Sequence, residues 1–282
     1  MQRDDAEVIT MSDVYDSGES APIWEPHRLG VFGFISTEPL TAGLGTESFV
    51  RAAPVEMPHL LSESTVDAGL VEAIDILELP DDFIIIPGCA WSLHRSSLSV
   101  RMFARYHPDM VDTIYVDDNS RQAAALVRIL WMLDYGREVD IVPFAPECTD
   151  PPPDAQAAVI LGDRPVAIPP ICFDYQIDLV NRWYKHTNLP LPWAFWVTLH
   201  HGPDGPLADQ LRQAANQGCA CTRAMASYVA CEHDWPADLA ERELAINSLY
   251  RTTPALFDGL NELGHLANLF GIISTPYHAR GA

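Results

Sequence analysis

One stretch near the middle of the chain restricts the fold more than any other. Residues 113–116 (Thr-Ile-Tyr-Val) read as a short strand and 117–120 (Asp-Asp-Asn-Ser) as a polar loop. From Arg121 onward Leu126, Ile129, Leu130 and Leu133 share one helical face up to a stop at Gly136, and a second strand follows at 139–142. This is a βαβ unit, for which a right-handed crossover is expected. The flanking sequence repeats the theme without any internal repeat. Residues 29–35 form an apolar run leading into Ser36-Thr37-Glu38-Pro39, a strand running into a capped helical turn. Residues 83–87 read as a strand stopped by Pro87-Gly88, 89–97 as a loop, 98–103 as a strand, and 157–161 as a buried strand ending at Gly162-Asp163-Arg164. Residues 66–77 fit either a strand, turn and helix or a single helix. After 189–199 the pattern is helical to residue 273, as in Leu207, Leu211, Ala214 and Ala215, then Leu239, Leu244, Ile246 and Leu249. Strands alternating with helices and a helical C-terminal region make the class α/β.

Charge narrows the partners. With 17 Lys and Arg against 39 Asp and Glu the formal charge is −22, which repels nucleic acid and anionic membrane before any specific contact forms. Residues 1–27 carry seven acidic residues and one Arg, and read as a polar tail of net charge −6 without an apolar export signal. The apolar runs are too short to span a bilayer. Cysteines at 89, 148, 172, 219, 221 and 231 show no framework spacing and fit reduced thiols, so the cytoplasm is the expected compartment.

No P-loop, GxGxxG, HExxH or GxSxG motif is present. What remains is a set of polar loops at strand ends, where open α/β sheets place their ligands: Ser36-Thr37, Asn119-Ser120-Arg121 and Gly162-Asp163-Arg164. A helix starting at Ser120 and Arg121 offers free N–H groups, a hydroxyl and a guanidinium to a carboxylate. The commoner arrangement is a plain cap at Asn119 or Ser120 with Arg121 in solvent. Cys219-x-Cys221 and Cys231-x-His233 lack zinc-ligand spacing and read as structural. His94-Arg95 fits an exposed turn or a cationic lip over the cleft.

Five of these pieces in register resemble one family, the menaquinone-biosynthesis chorismate dehydratases of the futalosine pathway. They are Leu29-Gly30 through Ser36-Thr37-Glu38-Pro39-Leu40 to Gly43-Leu44; Ile86-Pro87-Gly88 with Ser99; Ser120-Arg121 with Leu126 and Arg128-Ile129-Leu130; Ala157-Ala158-Val159-Ile160-Leu161-Gly162-Asp163; and Asp178-Leu179 through Trp183, Thr187-Asn188-Leu189-Pro190 and Phe195-Trp196. The resemblance spans about residues 28–273. It implies a two-lobed periplasmic-binding-protein-like fold of type II, with a central ligand cleft and two hinge strands near 100–103 and 193–197. Lobe 1 is expected at 28–102 and 196–282, lobe 2 at 103–195. It also implies a hydro-lyase that removes water from chorismate to give 3-[(1-carboxyvinyl)oxy]benzoate without a metal or organic cofactor. Carried over by position, Ser36 and Ser99 are the catalytic candidates, and Thr37, Ser120, Arg121 and Asp163 contact the substrate, with Arg95 as an added positive charge.

Two departures bear on the reaction. Ser36 stands where the family typically has Asn, and a hydroxyl reaches less far than an amide. Gln122-Ala123 replace a Thr-Ser pair beside the expected anion pocket. A cytoplasmic, non-catalytic binding protein or sensor for a small carboxylate, or a diverged lyase for a related substrate, are the competing readings. Because chorismate is a dianion and the chain is acidic, the cleft is expected to be locally positive, with Arg121 and Arg95 as its cations.

Overall fold

A computed structural model describes residues 27–145, 153–167 and 173–274. The tail expected at 1–27 therefore lies, apart from His27, outside the described residues, as does most of the loop expected at 148–154. The strands, numbered along the chain, form two sheets. The first has the order β11 (Ser248–Leu249), β4 (Ile84–Leu93), β10 (Leu191–Thr198), β3 (Ala68–Glu72), β1 (Leu29–Val31), β2 (Phe49–Arg51). The second runs β7 (Asp140–Phe144), β6 (Thr113–Asp117), β8 (Ala157–Leu161), β5 (Val100–Ala104), β9 (Tyr175–Asp178). Each sheet joins parallel strands to antiparallel ones: β1 runs parallel to β2 and β3 while β10 opposes β3, and β6 runs parallel to β7 and β8 while β5 opposes β8. The chain passes from the first sheet to the second through residues 94–99 and returns through 179–190. β5 lies wholly in the second sheet and β10 wholly in the first.

The helices are α1 (Met57–Ser62), α2 (Ala73–Ile76), α3 (Arg121–Tyr135), α4 (Arg164–Ala167), α5 (Leu179–Thr187), α6 (Pro206–Glu232), α7 (Ala237–Arg242) and α8 (Pro254–Leu269). The βαβ unit is β6, α3 and β7, with Ser120 capping the helix and Gly136 closing it in the left-handed region at φ 63°. Residues 66–77 adopt the first of their two readings, β3 followed by α2.

Two expectations are corrected. Pro87-Gly88 does not end a strand, because β4 continues to Leu93. Its pairing with β10 shifts register between Ile85–Val197 and Ala90–Phe195, so the extra residues bulge out, with Gly88 at φ 97°. A proline without an N–H is tolerated in a bulge, and Cys89 to Leu93 are then strand rather than loop. The run at 29–35 pairs only as far as Val31, and Ile35–Leu40 coil into a 3-10 helix.

β3, β8 and β10 are buried along their whole length, and Trp91, Trp131, Trp183, Trp193 and Trp196 are fully buried around them. Such side chains each contribute about 1.5–3 kcal/mol on burial. Helix α6 holds the 3-10 helix in place. An added Cβ at Gly218 would lie 1.9 Å from the Pro39 carbonyl oxygen, so only glycine allows this approach. Among the described residues no helix is long and apolar enough to cross a membrane.

Candidate functional site

The parallel strands of both sheets end at a common gap. A cavity of about 300 Å³ there is lined by Phe32, Gly33, Phe34 and Ala52 to Pro54 from the first sheet, and by Asp117, Asn119, Ser120, Leu161, Asp163 and Arg164 from the second. Its volume is at the low end for small-molecule sites. Its apolar lining is Phe32, Phe34, Ala52, Ala53, Pro54 and Leu161. The Phe34 ring rests on Gly162, where a Cβ would come within 2.6 Å of it. A second cavity of about 790 Å³ adjoins at Gly33 and is lined by Glu38, Arg51, Tyr228, Glu232 and His233.

Two carboxylates cross between the sheets here. Glu72, at the end of β3, accepts from the Ser120 hydroxyl at 2.5 Å and from the Gln122 N–H at 3.0 Å, so it occupies the N-terminus of α3. Burial pushes its carboxyl up to about 8, against the lowering effect of the Ser120 and Gln122 hydrogen bonds. Asp163, after β8, accepts from the Ile35 N–H at 3.1 Å and from His233 Nδ1 at 2.7 Å. His233 Nε2 lies 3.2 Å from Glu38. Burial alone would lower the His233 pKa, but Asp163 and then Glu38 outweigh it and hold the ring at about 9, an imidazolium donating from both nitrogens. Arg164 pairs with Asp117 beside the cavity. Burial raises the Asp117 carboxyl, while the Asn119 N–H and Arg164 pull it down.

The sequence-derived residues separate into four groups. Ser120 and Asp163 line the cavity. Ser36 and Ser99 are brought together, with their hydroxyl oxygens 3.5 Å apart, but both are fully buried beyond the lining at Phe34. Thr37 spends its hydroxyl on the Phe34 and Phe32 carbonyls at 2.8 and 3.1 Å and fastens the turn. Arg121 and Arg95 lie elsewhere. The Arg121 guanidinium pairs with Asp75 and Glu78, and Arg95 stacks on Tyr184 with 4.9 Å to the ring centroid. The expected cationic pocket is thus corrected. Its cations are Arg164, which lines the cavity, and His233, which lines the adjoining one, each already paired, because Arg121 is drawn to Asp75 of α2 and to Glu78 beyond it.

Three residues escaped sequence reasoning. His233 read as half of a failed zinc pattern, Glu72 as part of a segment of undecided structure, and Glu243 lay unremarked in a stretch of helical periodicity. Glu243 is fully buried on a π-helical turn (Glu243–Asn247), an irregularity frequent at functional sites. It accepts from the hydroxyls of Ser97 and Ser99 at 2.7 and 2.6 Å, from the Leu98 N–H at 2.8 Å and from Asn247 at 2.7 Å. A Glu inside a helical pattern gives no local sign of such a role.

The chain matches a family model described as menaquinone biosynthesis over residues 27–267. Protein AF1704 from Archaeoglobus fulgidus is similar in structure with a TM-score of 0.69 at 12% identity, over 88% of this chain and 98% of its own. The alkanesulfonate-binding protein SsuA from Xanthomonas axonopodis pv. citri gives 0.68 at 13% identity, over 92% and 98%. The Candida albicans CA3427 gene product, described as having the generic periplasmic binding protein fold, gives 0.57 at 11% identity, over 89% and 92%. These likenesses establish the two-sheet α/β architecture as periplasmic-binding-protein-like.

Proposed function

The chain belongs to the menaquinone biosynthesis family, and from that premise we propose that it is a chorismate dehydratase, a hydro-lyase that acts between two lobes built on the two sheets. The observation that carries this reading is the cavity at the strand ends of both sheets, with the Ser36 and Ser99 hydroxyls meeting just behind it. Elimination removes a ring proton and the ring hydroxyl, and the gain of aromaticity drives it. The protein's task is then to orient the ring, hold the carboxylates and receive the departing hydroxyl. In this reading the ring lies against Phe32 and Phe34, Arg164 takes a carboxylate as the lobes open and close, Ser120 holds Glu72 at the helix start beside it, and Ser36 and Ser99 face the hydroxyl. Asp163 orients the cleft edge through Ile35 and His233. Thr37, Arg121 and Arg95 have no direct part. Segments 94–99 and 188–190 serve as the hinges, and closure over the ligand excludes water.

Purified protein incubated with chorismate is expected to consume it and yield 3-[(1-carboxyvinyl)oxy]benzoate. No turnover at high enzyme concentration refutes the assignment. A diverged lyase for a related small carboxylate is the second reading, favoured by Ser36 where the resembled family has Asn, and a non-catalytic binding protein for a small carboxylate is the third. The third predicts a ligand-induced rise in melting temperature without product.

A further inference from the structure

Ser36 has an unusual hydrogen-bonding position. Its side chain is fully buried, yet its one hydrogen-bonding neighbour among the described residues is Ser99 Oγ at 3.5 Å, long for a hydroxyl pair. Buried hydroxyls normally find better partners, and one that does not has capacity left for a ligand. Ser99 differs. A hydroxyl has a single proton, and that of Ser99 goes to Glu243 Oε1 at 2.6 Å, the strongest acceptor within its reach. Glu243 is itself fixed from several directions. Besides Ser99 it receives the Ser97 hydroxyl, the Leu98 and Ser99 N–H groups and the Asn247 amide. With every approach filled by a donor, it acts only as an acceptor.

We propose that Glu243 is a positioning residue that sets the direction of the Ser99 hydroxyl, and so makes Ser36 and Ser99 a matched donor and acceptor for one ligand hydroxyl. With its proton turned inward, Ser99 presents only lone pairs toward Ser36. Ser36 keeps its proton free to donate. A third oxygen at about 2.8 Å from both closes a triangle on their 3.5 Å separation, donating to Ser99 and accepting from Ser36. A ligand carboxylate is disfavoured at this end because it has no proton to give Ser99 and meets the charge of Glu243 behind it. The site thus selects a hydroxyl here and leaves the carboxylates to the opposite end. This inference rests on the dehydratase reading, in which that hydroxyl is the one that departs.

The test is a double-mutant cycle on chorismate turnover with E243Q, S99A and the E243Q/S99A pair, run beside the wild type. If Glu243 acts through Ser99, each single substitution lowers kcat about 100-fold with KM within about threefold. The pair is then no slower than S99A. A purely structural Glu243 gives an E243Q protein with a lower melting temperature but kcat within about threefold of wild type, or a pair that falls by the product of the single effects, and either result overturns the proposal. If E243Q does not fold, E243D replaces it in the same cycle, with the same outcomes. A wild type without turnover refutes the dehydratase reading and this inference with it, whereas an active wild type with an active E243Q refutes this inference alone.

Discussion

The two junctions between the sheets use one device in opposite directions. Glu72 leaves the first sheet to meet the N–H of Gln122 at the start of α3, beside the second sheet. Asp163 leaves the second sheet to meet the N–H of Ile35 at the start of the 3-10 helix, beside the first. Each sheet therefore supplies a cap to a helical segment beside the other. Their charge states differ because of what else touches them. Glu72 is fully buried among neutral donors, and the nearby Arg121 guanidinium is engaged by Asp75 and Glu78, so burial prevails and the acid stays protonated near neutrality. Asp163 has an imidazolium against it, and the pair is ionic. Geometry assigns the cap, and the presence or absence of a cation assigns its charge.

Removal of Glu72 is expected to have the largest effect on this comparison. Glu72→Ala strands the Ser120 hydroxyl and the Gln122 N–H in a buried space and leaves a void, costing about 2–4 kcal/mol of stability in denaturant unfolding. Glu72→Gln imitates the protonated acid and is expected to stay within about 1 kcal/mol of wild type at about pH 4.5, where the acid is protonated in the folded state. The sharper outcome is the pH profile. A carboxyl raised in the folded state contributes stability that is full below its unfolded value and is lost as pH rises through about 8. Wild type is therefore expected to lose on the order of a few kcal/mol between pH 4.5 and 8, and Glu72→Gln to lack this slope. A Glu72→Gln profile parallel to wild type shows that Glu72 is ionised and the contrast between the junctions is false.

The same contrast shows how far sequence reasoning reached. The βαβ unit and the buried strand 157–161 were legible because their signals are local: a helical face, a polar loop, an unbroken apolar run. The cap at Ser120 was legible too, and a carboxylate sits at that helix start. The carboxylate is the chain's own, however, from Glu72, 48 residues away, and no local pattern carries a pairing at that separation. Arg121 was misread for the same reason, because its acidic partners are Asp75 of α2 and Glu78, two residues past its end. Pro87-Gly88 misled in another way: a bulge and a strand end use the same residues, and the choice is made by β10, distant in sequence.

Next in size is the ionic junction. A histidine held at about 9, above its ordinary 6.5, contributes stability that is full below about pH 6.5 and is lost as pH rises through about 9. His233→Gln is expected to cost about 1–2 kcal/mol at pH 6, allowing for partial exposure, and nothing by pH 10. The two junctions thus weaken in different pH windows, and the single variants separate them. If His233→Gln keeps the wild-type slope between pH 7 and 9, the imidazolium is not the cation of the junction.

The smallest effect distinguishes the two anions that share His233. Asp163 sits at 2.7 Å and Glu38 at 3.2 Å, and Glu38 lies on the 3-10 helix packed against α6, which leads into the histidine, while Asp163 follows β8 of the second sheet. Glu38→Gln is expected to lower the His233 pKa, followed by the NMR shifts of the ring, less than Asp163→Asn does. Its stability cost is about 0.5 kcal/mol, as befits the longer contact of a partly exposed pair. Asp163→Asn also weakens the cap on Ile35, so it alone is expected to speed hydrogen exchange at the Ile35 and Thr37 amides. Equal pKa shifts from the two variants, or equal exchange, mean that Glu38 carries as much of the junction as Asp163. The link between lobes would then be weaker than the reciprocal caps suggest, and opening of the cleft would depend mainly on Glu72.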